Sequence, residues 1–287
     1  MTLIRLSAFL SALAIFVGYF GVLHPLLDSI GIGRPLAAIW LLISAFTLKK
    51  YMRILSMTFA IFALIPILFS LRSNAHIENA QFTLYQHNLL FTNTAPDLAL
   101  VTQQLSPDVI TLQEISKSRD NVESLPNYSN QIICKFATVG DVGVLSKHTF
   151  IDQGCSQGEY RGFAWARIKN EAGEDVTVVS IHTHWPYPFN QAKQLEEIIP
   201  QLEKLPRPII LAGDFNQVSW SHAISALAKS VDGAERTGLI FTLVRPPLFL
   251  PIDHIIAPAQ AKLHIEKLNR YGSDHNGLFA RFESWPR

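Results

Sequence analysis

The sequence predicts a mixed α/β domain that follows an apolar, membrane-inserting helical region. Three observations predict it. The first 75 of the 287 residues hold a single acid, Asp28, among abundant Leu, Ile, Phe and Ala. The remainder interleaves short apolar runs of strand length with segments of helical period. Carboxylates, amides and imidazoles stand directly after those runs, where buried strands end and open α/β sheets bind ligands.

In the apolar region, residues 3–23 are long enough to cross a bilayer, for which roughly 20 apolar residues suffice. Residues 35–48 form a shorter segment that suits either a span or a buried helix. Residues 54–71 again approach spanning length, with Pro66 as a kink that a membrane helix tolerates. No small-residue cleavage site follows the first segment, which argues against a removed signal peptide. Residues 1–75 are therefore expected to be a multi-pass membrane region of about three transmembrane helices. Lys49, Lys50 and Arg53 cluster between the last two segments, and the positive-inside rule places that loop in the cytoplasm. The domain at 76–287 then lies on the extracytoplasmic (periplasmic) side of an inner or plasma membrane.

The formal net charge of +1 conceals a split. Residues 1–75 carry six Lys and Arg and one acid; removing these from totals of 24 and 23 leaves 18 basic and 22 acidic residues, net −4. Proteins that track duplex DNA carry a basic face, since phosphate neutralisation supplies most non-specific affinity. The composition counts against DNA. Cys134 and Cys155 are the only cysteines, and either a disulfide or two buried thiols fits.

After a polar link at 72–75, a strand at 81–86 ends at His87 and Asn88. A helix is expected at 96–105, from the spacing of Leu98, Val101 and Leu105. Strands follow at 108–112, ending in Gln113 and Glu114, and at 141–145, 162–168 and 175–181. The segment 190–205 reads as an amphipathic helix with Leu195, Ile198, Ile199 and Leu202 on one side. A strand at 209–211, a helix at 219–228 and strands at 252–256 and 278–282 complete the domain. Strand pairs mix with helices, so the sheet is mixed and not purely parallel.

Three motifs suggest a metal-dependent phosphoester-cleaving site. Such hydrolysis at neutral pH needs a polarising cation, an activated water and donors for the phosphoryl oxygens. Mg²⁺, with Mn²⁺ as its substitute, takes hard oxygen ligands and keeps several waters. Glu114 closes an apolar strand as a candidate ligand. Asp214 and Asn216, two apart on an extended segment, face the same way, and Gly213 leaves room for a ligand near the backbone. Asp253, flanked by Ile, is expected to be partly buried and so to need a partner; His275, next to Asp274, is the candidate. His182 and His184 share a strand face, a spacing that fits a transition-metal pair. The other acids favour Mg²⁺, and so His182 as a phosphoryl donor and His184 as structural. Arg161, ahead of a strand, is a candidate anion clamp.

Together these residues resemble the endonuclease/exonuclease/phosphatase family of DNase I-like proteins. The likeness runs from about Phe82 to Phe282, through Asn88, Gln113-Glu114, Val179 to His182, Gly213 to Asn216, Ile252-Asp253 and Gly272 to His275. It implies a four-layer α/β/β/α sandwich with the site at one edge of paired sheets. By the same likeness, Glu114 with Asn88 holds the metal and Asp274 serves metal or water. Asp214 orients or deprotonates the water, Asn216 binds phosphoryl oxygens and His182 stabilises the transition state. Asp253 and His275 form a carboxylate–imidazole pair. The preceding apolar segments resemble a membrane-anchored bacterial branch. The substrate does not transfer, because one scaffold serves lipid head groups, small phosphodiesters and nucleic acid. A phosphodiesterase or phosphatase held in the bilayer is the expected function, an extracytoplasmic nuclease the alternative and an inactive binding module a third.

Overall fold

The structure, a computed structural model, describes residues 2–69, 77–170 and 173–285. At the N-terminus, α1 (Thr2–Gly18), α2 (Pro25–Ile32), α3 (Arg34–Ser44) and α4 (Lys50–Phe69) form a helical unit. Its core is Ala8, Ile15, Ala38, Leu41, Ala60 and Ala63; the four alanines let the helices approach closely around Ile15 and Leu41. Trp40 Nε1 donates to Ser7 Oγ, while Tyr19 lies under Arg34 and beside Phe62. The α1–α3 connection and the later part of α4 therefore share one end of the unit. Lys49, Lys50 and Arg53 occupy the other.

Among the described residues, the one single helix long and apolar enough to cross a membrane is in α4, over Lys50–Leu68. The first segment departs from expectation. Helix α1 stops at Gly18, where a Cβ would meet Gly31 Cα at 2.9 Å, and residues 19–23 turn. The middle segment becomes α3 plus a 3₁₀ turn at Ala45–Thr47, bent by 59° from α2. The third starts earlier, at Lys50, and contains Pro66. The link at 72–75 lies outside the described residues.

The remainder begins with β1 (Phe82–Asn88), α5 (Leu98–Leu105), β2 (Val109–Ile115) and α6 (Arg119–Glu123). It continues through β3 (Asn130–Ala137), β4 (Gly140–Ser146), β5 (Phe150–Cys155), β6 (Phe163–Lys169) and β7 (Asp175–His182). Then come α7 (Gln191–Leu202), β8 (Ile209–Asp214), α8 (His222–Ser230), β9 (Gly233–Glu235), β10 (Leu243–Arg245) and β11 (Leu248–Leu250). The last strands are β12 (Asp253–Pro258), β13 (Leu263–Lys267) and β14 (Leu278–Phe282). Two six-stranded mixed sheets result, ordered β13-β14-β1-β2-β4-β3 and β5-β6-β7-β8-β12-β9; β10 and β11 form a separate hairpin.

Three apolar layers hold the sheets. Phe82, Leu84, Val109 and Val144 of the first meet Ala166, Val178, Ile210 and Ile255 of the second. Val101 of α5 and Val122 of α6 cover the outer face of the first sheet with Leu112 and Leu145. Ile198 and Leu202 of α7 and Ile224 and Leu227 of α8 cover the second. The order is helices, sheet, sheet, helices, as the resemblance implies. The central strands are buried on both faces and so read as continuous apolar runs. Cys134 of β3 and Cys155 of β5 are joined as a disulfide that ties one sheet to the other.

Candidate active site

Register alone brings much of the site together. Parallel pairing of β1 with β2 sets Asn88 opposite Gln113. Strand β8 pairs with β7 and β12, which places Asp214 between His182 and Asp253. Glu114 is placed by an irregularity. The β2–β4 register shifts between Leu112 and Ile115, and Glu114 adopts φ 56°. That left-handed conformation costs of order 1–3 kcal/mol in a non-glycine residue and persists where the surroundings enforce it. Its Oε2 accepts from the Phe91 amide at 2.8 Å and its Oε1 from Asn88 Nδ2 at 3.1 Å. Asn88 Nδ2 also donates to Asp214 Oδ2 at 2.9 Å, so one amide ties carboxylates from both sheets.

Asp214 and Asn216 form a tight pair. The Asn216 amide donates to Asp214 Oδ1 at 2.8 Å, and its Nδ2 donates to Thr183 O at 2.8 Å. Gly213 serves a different purpose from the expected one. A Cβ there would collide with the Ile181 carbonyl of β7, so the glycine admits the neighbouring strand and not a ligand.

Asp253 and His275 meet as expected, with Oδ2 and Nδ1 2.7 Å apart. The other carboxylate oxygen accepts from Gln86 Nε2 at 3.0 Å. Gln86 also donates to Gln113 Oε1 at 2.9 Å, and Gln113 Nε2 donates to Ser180 Oγ at 3.0 Å. This buried chain crosses between the sheets. Burial disfavours the charged form of His275, but Asp253, then Asp214, outweigh it and hold the imidazolium up to about 10. Asp214 is also opposed by burial, yet His275 and His182 bring its carboxyl down to about 2. At neutral pH the pair is carboxylate and imidazolium, with His275 Nε2 3.7 Å from Asp214 Oδ2.

His182 Nε2 lies 3.5 Å from Asp214 Oδ2 and 4.0 Å from Glu114 Oε1. Its Nδ1 is buried with no hydrogen-bond partner among the described residues. His184 packs beside Phe136 and Tyr160 with ring centroids 5.0 and 6.0 Å away, and burial lowers its pKa. A cleft of about 260 Å³ opens over Glu114, His182, Asp214, Asn216 and His275, walled by Phe91, Phe136 and Trp185.

Two expected residues stand apart from the cluster. Asp274 reaches the cleft, but its carboxylate faces Arg245 Nε at 3.5 Å and joins neither group of converging metal-ligand atoms. Neighbours in sequence diverge here: His275 turns inward to Asp253 and Asp274 turns to the hairpin. Arg161 is exposed and is not a cleft residue. Arg245 on β10 is the arginine that lines the cleft among the described residues, and no sequence signal marked it.

The donor set fits a hard divalent cation. Glu114, His182 and Asp214 offer ligand atoms within 4.8 Å of one another, and two of the three are carboxylates. Two carboxylates and one imidazole can together hold a divalent cation. A second group, Asp214, Asp253 and His275, is already closed by its internal hydrogen bond.

The sequence profile of the Endonuclease/Exonuclease/phosphatase family matches residues 85–275, from β1 to the site histidine. The chain belongs to this family. Several solved structures share the fold. One from Bacteroides vulgatus superposes with a TM-score of 0.59 at 17% identity, covering 71% of this chain and 99% of that one. A humanized D. rerio TDP2 gives 0.57 at 15%, covering 70% and 98%. Sphingomyelinase C from Streptomyces griseocarneus gives 0.53 at 17%, covering 70% and 98%. A UPF0294 protein of Vibrio cholerae is 29% identical over 126 residues, 41% of this chain and 43% of that protein. The match thus spans less than half the length of that curated relative.

Proposed function

We propose that the protein is a membrane-held, divalent-cation-dependent phosphodiester or phosphomonoester hydrolase, with its catalytic domain outside the cytoplasm. One observation carries the catalytic part: the buried His275–Asp253 pair meets Asp214 and Asn216 beside the Glu114–Asn88 pair in one cleft. The family supports the reaction class, since its members act on phosphoesters.

Glu114 and Asp214, with His182, would hold the cation. When bound it supplies charge neutralisation and a more acidic water. Asp214, held near 2, is a poor base but a well-placed acceptor, so it orients the attacking water more than it deprotonates it. His275 stays protonated, anchored through Nδ1 by Asp253, and donates from Nε2 to a phosphoryl oxygen. Asn216 Nδ2 donates to Thr183 O and lies 3.4 Å from His182 Nε2; with that nitrogen on the cation, the second amide hydrogen would turn to the phosphoryl group.

The location rests on different observations. Lys49, Lys50 and Arg53 lie at the end of the helical unit away from the catalytic domain, the arrangement the positive-inside rule favours for export. The Cys134–Cys155 bridge suits an oxidising compartment. The three spans would be α1, α3 and α4, which share one apolar core, with α2 at the junction to the catalytic domain.

The test is to assay the purified full chain against bis(p-nitrophenyl) phosphate, p-nitrophenyl phosphate and plasmid DNA, with Mg²⁺ and with EDTA. Cation-dependent release of p-nitrophenol supports the reading. Nicking of plasmid without p-nitrophenol release selects the nuclease, and inertness towards all three selects the binding module.

A further inference from the structure

Asp28, the lone acid of the helical unit, is buried and serves another part of the chain. It accepts from the amides of His222 at 2.7 Å and Ala223 at 3.1 Å, the first residues of α8. Beside it, Trp220 Nε1 donates to Gly31 O at 2.9 Å and Arg34 Nη2 to Trp220 O at 3.2 Å. A carboxylate here satisfies N–H groups that a helix start leaves open and meets the positive end of its dipole. The junction fixes the helical unit against the helical layer of the second sheet.

Between this junction and the cleft runs one loop, residues 183–190, joining β7 to α7. Its first part, Thr183 to Trp185, lines the cleft. Its next residues, Pro186 and Tyr187, line a separate cavity of about 450 Å³ together with Val22, Leu23 and Pro25 from the α1–α2 turn. The Tyr187 ring lies 5.7 Å from the His24 ring. Val22 and Leu23 are 64% and 71% exposed, and Tyr187 and Phe189 are 44% and 64% exposed. Apolar surface thus continues from the helical unit onto the loop that walls the site. Trp and Tyr with one wet and one apolar side favour the membrane–water boundary.

We infer that the substrate is a phospholipid of the bilayer that holds the helices, its headgroup phosphoester entering the cleft past Trp185. In this arrangement loop 183–190 and the α1–α2 turn form one interfacial surface. The inference rests on the membrane-held hydrolase reading and adds the substrate class to it. The net charge of −4 after residue 75 fits a small headgroup better than a polyanionic duplex.

The experiment uses the full chain reconstituted with Mg²⁺ in vesicles of phosphatidylethanolamine and phosphatidylglycerol. Release of water-soluble phosphorylated headgroup is measured beside hydrolysis of bis(p-nitrophenyl) phosphate in the same preparation. Tyr187→Ser with Phe189→Ser should lower headgroup release at least about tenfold, because exposing two aromatic side chains forfeits more than a decade of partition. The soluble ester, whose cleft contains neither residue, should be hydrolysed within about twofold of wild type. Independently, the added tryptophan of F189W should be quenched by lipids brominated on the acyl chains.

Equal loss on both substrates, undiminished headgroup release, or an unquenched F189W would overturn the inference. So would hydrolysis of the soluble ester with no headgroup released, which leaves the hydrolase reading standing. Inertness towards both esters would remove that reading and the inference with it.

Discussion

Along β1 the gap between the two sheets changes character. Around Phe82 and Leu84 it is closed by apolar contacts, with Phe82 edge-on to Phe282 and Trp285. A few residues later, at Gln86, it is closed by the hydrogen-bonded chain from Asp253 through Gln86 and Gln113 to Ser180. The apolar end is held by area removed from water, which is non-directional and tolerates repacking. The polar end depends on directional partners: both bonds of Gln86 run from Nε2, its Oε1 is buried with no hydrogen-bond partner among the described residues, and loss of a further partner there is costly. One strand therefore serves stability at its start and chemistry at its end. The two ends should fail differently.

The largest effect is expected at the polar end. His275→Ala should reduce kcat/KM by roughly 10²–10⁴-fold through loss of an interaction made in the transition state. Asp253→Asn removes the largest charge that holds the His275 proton. The protonated ring is the active form, so activity is lost as pH rises through its pKa. The alkaline limb should stand near pH 10 in the wild type and move to lower pH in Asp253→Asn. A pH–rate profile with an unmoved limb would show that His275 does not act as the donor.

At the apolar end, Phe82→Ala should cost about 3–5 kcal/mol of stability by emptying a fully buried ring site. Below the melting temperature its kcat should stay close to wild type. Urea denaturation and steady-state kinetics on one preparation read both quantities. A large fall in kcat would break the proposed separation of the two ends.

The smallest effect should fall on Gln86, which lies between the two behaviours. Gln86→Leu leaves Asp253 Oδ1 without its donor and should cost about 1–3 kcal/mol of stability. It should also lower the pH of the alkaline limb less than Asp253→Asn does, because the carboxylate is loosened but not removed. Gln86→Glu is no rescue, since it sets a second acid against Asp253. A Gln86→Leu profile superposable on wild type would make Gln86 structural only.

Much of the site was legible because strand-end chemistry follows short-range rules. Asp214 and Asn216 stand two apart after a buried run, and a buried Asp253 requires a partner, which His275 supplies. Three things were hidden. Gln86, Gln113 and Ser180 are strand residues whose pairing depends on how two sheets face each other, a fact no local pattern carries. Asp274 and His275 are adjacent in sequence but diverge in space, and spacing cannot say which of the two turns inward. Glu114 reaches the cleft through a left-handed residue at a register shift. The missed strands, β3, β5, β9, β10, β11 and β13, are short or lie at sheet edges, with partly exposed faces that blur the period-two signal. Asp28 offered a usable signal: a single acid in an apolar stretch must be paired, and its partner is the start of α8.

The central claim is that Glu114 serves the cation alone, whereas Asp214 serves both the cation and the attacking water within one cleft. Titrating Mg²⁺ into the EDTA-treated enzyme, Glu114→Ala and Asp214→Asn, with bis(p-nitrophenyl) phosphate as substrate, tests it most directly. Wild type should be silent in EDTA and recover with Mg²⁺. Glu114→Ala should recover in part, at a higher Mg²⁺ concentration, because it chiefly weakens cation affinity. Asp214→Asn should stay roughly 10²-fold or more below wild type at every concentration. Full activity in EDTA, or recovery of Asp214→Asn by Mg²⁺ while Glu114→Ala stays dead, would contradict the account.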